Sequence, residues 1–324
     1  MNKKGIGDFI RNYMAWVILL AVMLAFSFTP NFLSLRNIIN MLNQSSYIIV
    51  ASIGVGFLMM SGEIDLSVGY MMSLSSIISG TLIVQMGVPV IIAVPLVLLL
   101  GAALSCFNNF LSSLLHLGRF MTTVATMSIY QGASYVISQS VAIKGFPDSF
   151  KAIGQSNIGI IPTPIIIMLV LLIVCSVIME KTYFGQYVYA LGGNPEAAKL
   201  AGINVNAMKY IISAIAGALI SLSAIMLTAR LGTAHSTTGP GSEFTALIGI
   251  LLGGISIRGG EGKLSSVFAG VMIISILSNG MQLAGLDTYY QFIAKGIIML
   301  LAIGIDVFNL NRRNKVKKEK KADA

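Results

Sequence analysis

Runs of about 20 apolar residues recur along almost the whole chain, and a hydrocarbon layer about 30 Å thick admits such runs only as helices that cross it. Ten spans are expected, near residues 14–30, 38–61, 66–86, 89–113, 120–140, 163–180, 209–229, 244–257, 264–284 and 289–308. The second is interrupted by polar residues and the eighth is short. The run from Met14 to Phe28 follows Lys3, Lys4 and Arg11 in the manner of a secretion signal. No small-x-small cleavage pattern closes it, so it counts as a span. Hydrophobic residues make up 56% of the chain and charged residues 10%, against about 25% charged in soluble domains. The fold class is therefore all-α, a polytopic helical membrane protein of about ten transmembrane helices. Short spans, polar breaks and glycine turns follow both 38–61 and 209–229, the mark of two inverted five-helix halves.

Basic residues orient the spans. An even number of crossings puts both termini on one side. With them fall Lys181, Lys199, Lys209, Arg119, Arg258 and Lys263, sixteen of the 21 bases in all. Only Arg36, Lys144, Lys151 and Arg230 fall opposite, and Lys295 lies within a span. The organisation expected is a cytoplasmic N-terminus over 1–13, a transmembrane domain over 14–308 with a cytoplasmic loop near 181–209, and a basic cytoplasmic tail over 309–324. The net charge of +9 is explained by orientation and by anionic lipid, without a nucleic-acid partner.

Several chemistries find no support. Cys106 and Cys175 sit in apolar runs and suggest neither a disulfide framework nor a metal site. His235 has no cysteine or second histidine nearby. No His/Asp/Glu cluster offers acid–base chemistry, so the chain does not read as an enzyme. Gly253–Gly262 lacks the Gly-Lys-Ser/Thr ending of a phosphate-binding loop, and tight helix packing at a sharp return of the chain explains it better. No cofactor is expected.

Three polar features carry the functional argument. The first is the island from Gly185 to Ile203. Asn194 suits a helix N-cap and Pro195 the first helical position. Glu196 and Lys199 complement the dipole at the two ends, and Gly202 suits a left-handed C-terminal cap. The second is Ser61-Gly62-Glu63-Ile64-Asp65-Leu66-Ser67-Val68-Gly69, two carboxylates between apolar runs with no real loop, which predicts a discontinuous helix. Asp65 is suited to cap the helix beginning at Leu66 and Ser67; that cap alone suffices to explain it, and a pathway role is compatible with it. The third is a set of polar rows on separate spans. Asn37, Asn40, Asn43, Gln44 and Ser45 form one, Thr122, Thr123, Thr126, Ser128 and Gln131 a second, and Ser275, Ser278, Asn279 and Gln282 a third. They favour a protein that encloses a polar path. Asn40, Gln44, Asp65, Ser67, Thr122 and Asn279 are the candidate pathway residues. The segments 141–162 and Thr228 to Glu243 are expected as long outward loops.

Together these motifs resemble the permease subunits of bacterial ABC importers of the ribose, galactose and xylose type. The match runs from about residue 26 to 308. It uses Phe32-Leu33-Ser34-Leu35-Arg36-Asn37 with Gln44-Ser45, the Gly62–Gly69 break, Thr122–Gly132, Phe184–Ile203, Gly249–Gly262 and Ser278-Asn279-Gly280. Glu63 stands where the family usually carries glycine, and Gly118-Arg119-Phe120 replaces a proline-containing start to the fifth span. The resemblance implies a non-catalytic permease subunit in the bacterial plasma membrane. It implies a permease homodimer, a cytoplasmic ATP-binding subunit and an extracytoplasmic sugar-binding protein. The ATPase would seat on a coupling element comprising Gly193, Asn194, Pro195, Glu196, Ala197, Ala198, Lys199 and Gly202. The alternative is an ion-coupled secondary transporter using Asp65 or Lys295 as its relay.

Overall fold

The computed structural model describes the backbone of residues 3–322 and the side chains of residues 14–304 and 307. The side chains of Lys3, Lys4, Arg11 and the seven tail bases therefore lie outside the described residues. The described residues form thirteen α-helices: α1 (Lys3–Phe26), α2 (Leu35–Met60), α3 (Val68–Gly80), α4 (Val90–Leu114), α5 (Arg119–Ser138), α6 (Asp148–Gln155), α7 (Thr163–Lys181), α8 (Tyr183–Gly193), α9 (Pro195–Leu200), α10 (Val205–Leu231), α11 (Ser242–Leu252), α12 (Ser266–Leu283) and α13 (Thr288–Ala322). A π-helical turn, Thr81–Gln85, extends α3. Four two-residue strands, β1 (Ile143–Lys144), β2 (Asn157–Ile158), β3 (Ile161–Pro162) and β4 (Thr233–Ala234), make two antiparallel pairs, β1 with β4 and β2 with β3.

Among the described residues, six segments are long and apolar enough to cross a membrane: α2, α3 with its π turn, α4, α7, α10 and α12. Three shorter apolar stretches, Met14–Phe26, Ser242–Leu252 and Thr288–Gly304, accompany them. The 20-residue α5 is long enough but too polar, because threonines and serines occupy its inward face. The polar residues expected to interrupt the second span leave α2 continuous. Ser34 caps its start by accepting the Asn37 N–H, and Ser45 and Ser46 return their hydroxyls to the helix's own carbonyls at Met41 and Asn43.

The core lies along α2 and α10, whose middle turns are buried nearly all round. α10 packs against both α2 and α4, α11 against α12, and α3 against α5. Where lipid supplies no hydrophobic drive between helices, small residues let backbones close up. Gly101 and Ser105 of α4 do this with Gly217 and Ser221 of α10: a Cβ on Gly217 would strike the Gly101 carbonyl. Hydroxyls add lateral bonds, Ser75 to Ser221 at 2.7 Å and Thr228 to Ser76 at 2.7 Å.

Two ends of the bundle can be distinguished. At the basic end lie α8, α9, the α2–α3 break and the turn 253–262; at the far end lie α6 and both strand pairs. The segment expected as a long outward loop from Thr228 to Glu243 is not one. Residues 228–231 complete α10. Past β4 the chain runs back beside α3, where Ser73 Oγ accepts the Gly239 N–H at 3.1 Å and Gly239 meets Gly69 backbone to backbone. The expected eighth span is thus a half-helix, α11, entered through an extended, inward-running segment. Pro240 and the left-handed Gly241 (φ 92°) prevent an earlier helical start.

Gly217→Ala is expected to force α4 and α10 apart at a cost of about 1–3 kcal/mol, seen as a lowered thermal midpoint in detergent. Gly296→Ala, with nothing within 4 Å of the added carbon, is expected to leave the midpoint unchanged. Equal midpoints for both variants would contradict the close α4–α10 approach.

Candidate functional site

The far half of the bundle contains a cavity of about 520 Å³ between α2, the end of α10, the start of α11, α12 and α13. Gln44, Ser45, Thr238, Thr245, Ser275, Ser278, Asn279, Gln282 and Gln291 line it with amides and hydroxyls, joined by the cations Arg230 and Lys295. Among the described lining residues none is acidic. The nearby Glu243 turns both carboxylate oxygens onto the Gly241 N–H at 3.0 Å. The helix start that opens on the cavity is thereby capped within the protein. Lys295, expected within a span, is half-buried on the cavity wall.

Of the six candidate pathway residues, Gln44 and Asn279 line this cavity, and Asn40 is exposed on α2 away from its wall. Asn279 also exchanges hydrogen bonds with Asn37 at 2.8 and 3.1 Å, fastening α12 to the first turn of α2. Asp65, Ser67 and Thr122 are elsewhere, buried near the basic end. Asp65 Oδ1 accepts the Ser67 N–H at 2.8 Å and the Ser67 hydroxyl at 2.6 Å. It therefore satisfies the donor just before α3, whose first residue is Val68 rather than Leu66. Thr122 donates to the Gly118 carbonyl at 3.4 Å, while its neighbour Thr123 accepts the Leu66 N–H at 3.1 Å.

The two residues that depart from the family pattern meet here. Arg119, 4% exposed, places Nη1 3.1 Å from Glu63 Oε2 and Nη2 3.0 Å from the fully buried Asp65 Oδ2. Nη1 also donates to Ser213 Oγ at 2.6 Å and Nη2 to Ser105 Oγ at 2.7 Å. Lys209 of α10 reaches the other Glu63 oxygen at 2.9 Å. Asn108 donates to Asp65 and to Ser67 Oγ and accepts from the Tyr130 hydroxyl at 2.7 Å. Two cations and two carboxylates thus form a neutral cluster drawn from the α2–α3 break, α5 and α10, with polar partners on α4. The residue types at span ends already contained the signal: 63, 65, 119 and 209 all fall on one side by the count of crossings. Both acids and both bases had to share one end of the protein.

At that end the island forms two helices rather than one. Asn194 caps α9 by accepting the Ala197 N–H at 3.0 Å. Gly202, at φ 87°, closes it, with Gly202 N–H to Lys199 O and Ile203 N–H to Ala198 O. Ala198 is buried; Pro195, Glu196, Ala197 and Lys199 are exposed, and Leu200 is 90% exposed. Behind α9 three glycine segments pack backbone to backbone. Gly192 abuts Met60 and Gly260, Gly259 abuts Gly62, and the Gly260 N–H donates to Met60 O at 2.8 Å. Burial, with the Glu180 carboxylate nearby, raises the Tyr189 hydroxyl above the usual tyrosine range. It stays protonated and donates to Gly262 O at 2.8 Å. No group of three or more metal-ligating side chains occurs among the described residues.

Arg119→Ala is expected to cost about 3–5 kcal/mol, because it strands two buried carboxylates. Adding Glu63→Gln should recover part of that loss by restoring a neutral count with Asp65 and Lys209. A double-mutant cycle on thermal or denaturant stability checks this; additive losses would refute the coupling.

No solved structure matches the chain. The family model described as branched-chain amino acid transport system / permease component matches residues 37–303. The ribose import permease of Haemophilus influenzae is 34% identical over 308 residues, covering 93% of this chain and 94% of that protein. The galactose/methyl galactoside import permease of Escherichia coli is 30% identical over 332 residues, covering 97% and 99%. The D-allose transport system permease of Escherichia coli is 31% identical, covering 91% of each. With a helical bundle of membrane-crossing length, an internal polar cavity and a family match over most of its residues, the chain belongs to this family of transport-system permease components.

Proposed function

We propose that the chain is the membrane-spanning subunit of an ATP-driven importer of a monosaccharide such as ribose, galactose or xylose. The observation that carries this is likeness to sugar import permeases along nearly the whole chain, joined to a cavity lined by hydroxyls and amides. The family description names branched-chain amino acids, but an amino acid's ammonium calls for a carboxylate. The described cavity wall supplies none, and Arg230 and Lys295 oppose a further cation. The ion-coupled alternative loses one of its two relays, since Asp65 is held by Arg119, Ser67 and Asn108; against the other, Lys295, stands the likeness to sugar import permeases.

On this reading the basic end faces the cytoplasm of a bacterial plasma membrane, with both termini there. Ten helices cross: the six apolar spans, the apolar parts of α1 and α13, the half-helix α11, and α5. The polarity of α5 faces the bundle, while its outer face mixes large apolar side chains such as Met121, Val124 and Ile129 with small residues. Its exposed Ala125, Ser128 and Gly132, the last with open space beside it, support pairing with a second copy as a homodimer. The two inverted halves are supported by α2 and α10, long helices each followed by a non-helical segment and a short helix of 13 or 11 residues. The cavity at the far end receives sugar from an extracytoplasmic binding protein. The exposed α9, with Gly193 to Lys199 and Gly202 setting its caps, seats in the cytoplasmic ATP-binding subunit.

Proteoliposomes holding the permease, its ATPase and its binding protein are expected to accumulate one of these radiolabelled sugars only with ATP. Uptake driven by a proton or sodium gradient without ATP, or uptake of leucine alone, would overturn the assignment. Glu196→Lys and Gly202→Pro are each expected to abolish sugar-stimulated ATP hydrolysis while the permease accumulates normally in the membrane. Gly202→Pro acts because proline cannot adopt φ 87°. Unchanged stimulation in both variants would remove α9 from the ATPase interface.

A further inference from the structure

We infer that Arg119 is a positioning residue of the transport cycle: its guanidinium fastens the α2–α3 break to α4, α5 and α10, so that displacement of α8–α9 moves the basic-end turns of all three. This rests on α8–α9 being the element that contacts the ATPase.

The break, residues 61–67, is held on two sides. On one, Gly62 lies against Gly259 and Gly192, and the preceding Met60 carbonyl accepts the Gly260 N–H. Glycines at all these contacts leave no side chain to cushion relative motion, so a shift of α8 presses directly on the backbone of the break. On the other side, Glu63 and Asp65 project into the charged cluster. Glu63 is gripped by a cation on each of two helices, Arg119 of α5 and Lys209 of α10. Arg119 adds Ser213 of α10 and Ser105 of α4. The Arg119 bonds are buried and charge-assisted, so separating them would expose unpaired charge inside the bundle, while Lys209 closes the cluster from a partly exposed position. The cluster therefore behaves as a strut, and arginine's planar fork is what spans it. Each terminal nitrogen serves one carboxylate and one serine. A lysine would carry the charge but address only part of that set.

The test is hydrogen–deuterium exchange on the permease–ATPase complex in lipid nanodiscs, with and without a non-hydrolysable ATP analogue. In the wild type, nucleotide is expected to change exchange at 183–200 and also at 118–126. In Arg119→Lys the change at 183–200 persists. The change at 118–126 falls at least about fivefold, the lower end of typical coupling between sites. A response at 118–126 equal to wild type in Arg119→Lys would overturn the strut. So would a wild type that responds at 183–200 but not at 118–126. Absence of any wild-type response at 183–200 would instead overturn the ATPase-contact reading, and the strut with it. If Arg119→Lys fails to accumulate, Ser213→Ala keeps every charge and removes one bond to α10. There the response at 205–213 is expected to fall while that at 118–126 remains, and an unchanged response at 205–213 would overturn the strut.

Discussion

Backbone that leaves the helix inside an apolar bundle must find every hydrogen bond within the protein, because lipid offers none. Two segments live under that constraint, and most of the architecture follows from how each meets it. At 61–67, the Leu66 N–H is taken by Thr123 of α5, the Ser67 N–H by Asp65, and the Met60 carbonyl by Gly260. At 235–241, the Gly239 N–H is taken by Ser73 of α3 and the Gly241 N–H by Glu243. Each partner belongs to an element that must then stay in place. α3 is pinned at its start by α5 and along its length by the inward-running segment, and the close contact of Gly69 with Gly239 joins the two breaks to each other.

Solving the first break with a carboxylate creates a second constraint. A buried Asp65 has to be neutralised, and Arg119 supplies the charge. Arg119 has fork enough for another acid, which Glu63 provides, and Glu63 in turn is shared with Lys209. Asp65 with Lys209 would balance alone and so do all four groups together, whereas Glu63 without Arg119, or Arg119 without Glu63, would leave a net charge in the cluster.

The helical scaffold was legible because apolar runs and basic flanks act locally: the caps of α9 at Asn194 and Gly202 follow from single residues. The inward course of 235–241 was not legible. Its polar and glycine-rich composition is that of an ordinary loop, and only the partners Ser73 and Gly69, more than 160 positions away in the chain, make an inward path affordable. For the same reason the polar rows divided unexpectedly. Gln44 and Asn279 share a cavity, whereas Asp65 and Ser67 serve the break and Thr122 bonds back to Gly118 at the start of α5. Spacing identifies a helix face but not what faces it. The polarity of α5 was visible, yet its inward threonines bond to their own helix and to the α2–α3 break, so polarity alone did not mark a pore.

The cavity and the charged cluster lie toward opposite ends of the bundle, and that separation bears on how a solute would cross. Below the cavity, α2 from Ile48 to Met60 is buried almost without interruption, as is α10 from Leu219 to Ala229 apart from Leu222. No side-chain rotation alone opens a path through such packing, since close-packed cores yield by shifting whole elements. The cluster ties the α2–α3 break to α4, α5 and α10, whereas none of its bonds reaches α11, α12 or α13. The cavity is walled by members of both groups, with Arg230 of α10 on one side and Asn279 of α12 with Lys295 of α13 on the other. A rigid first group sliding against the second would change the width of the cavity between them without breaking a buried charge pair.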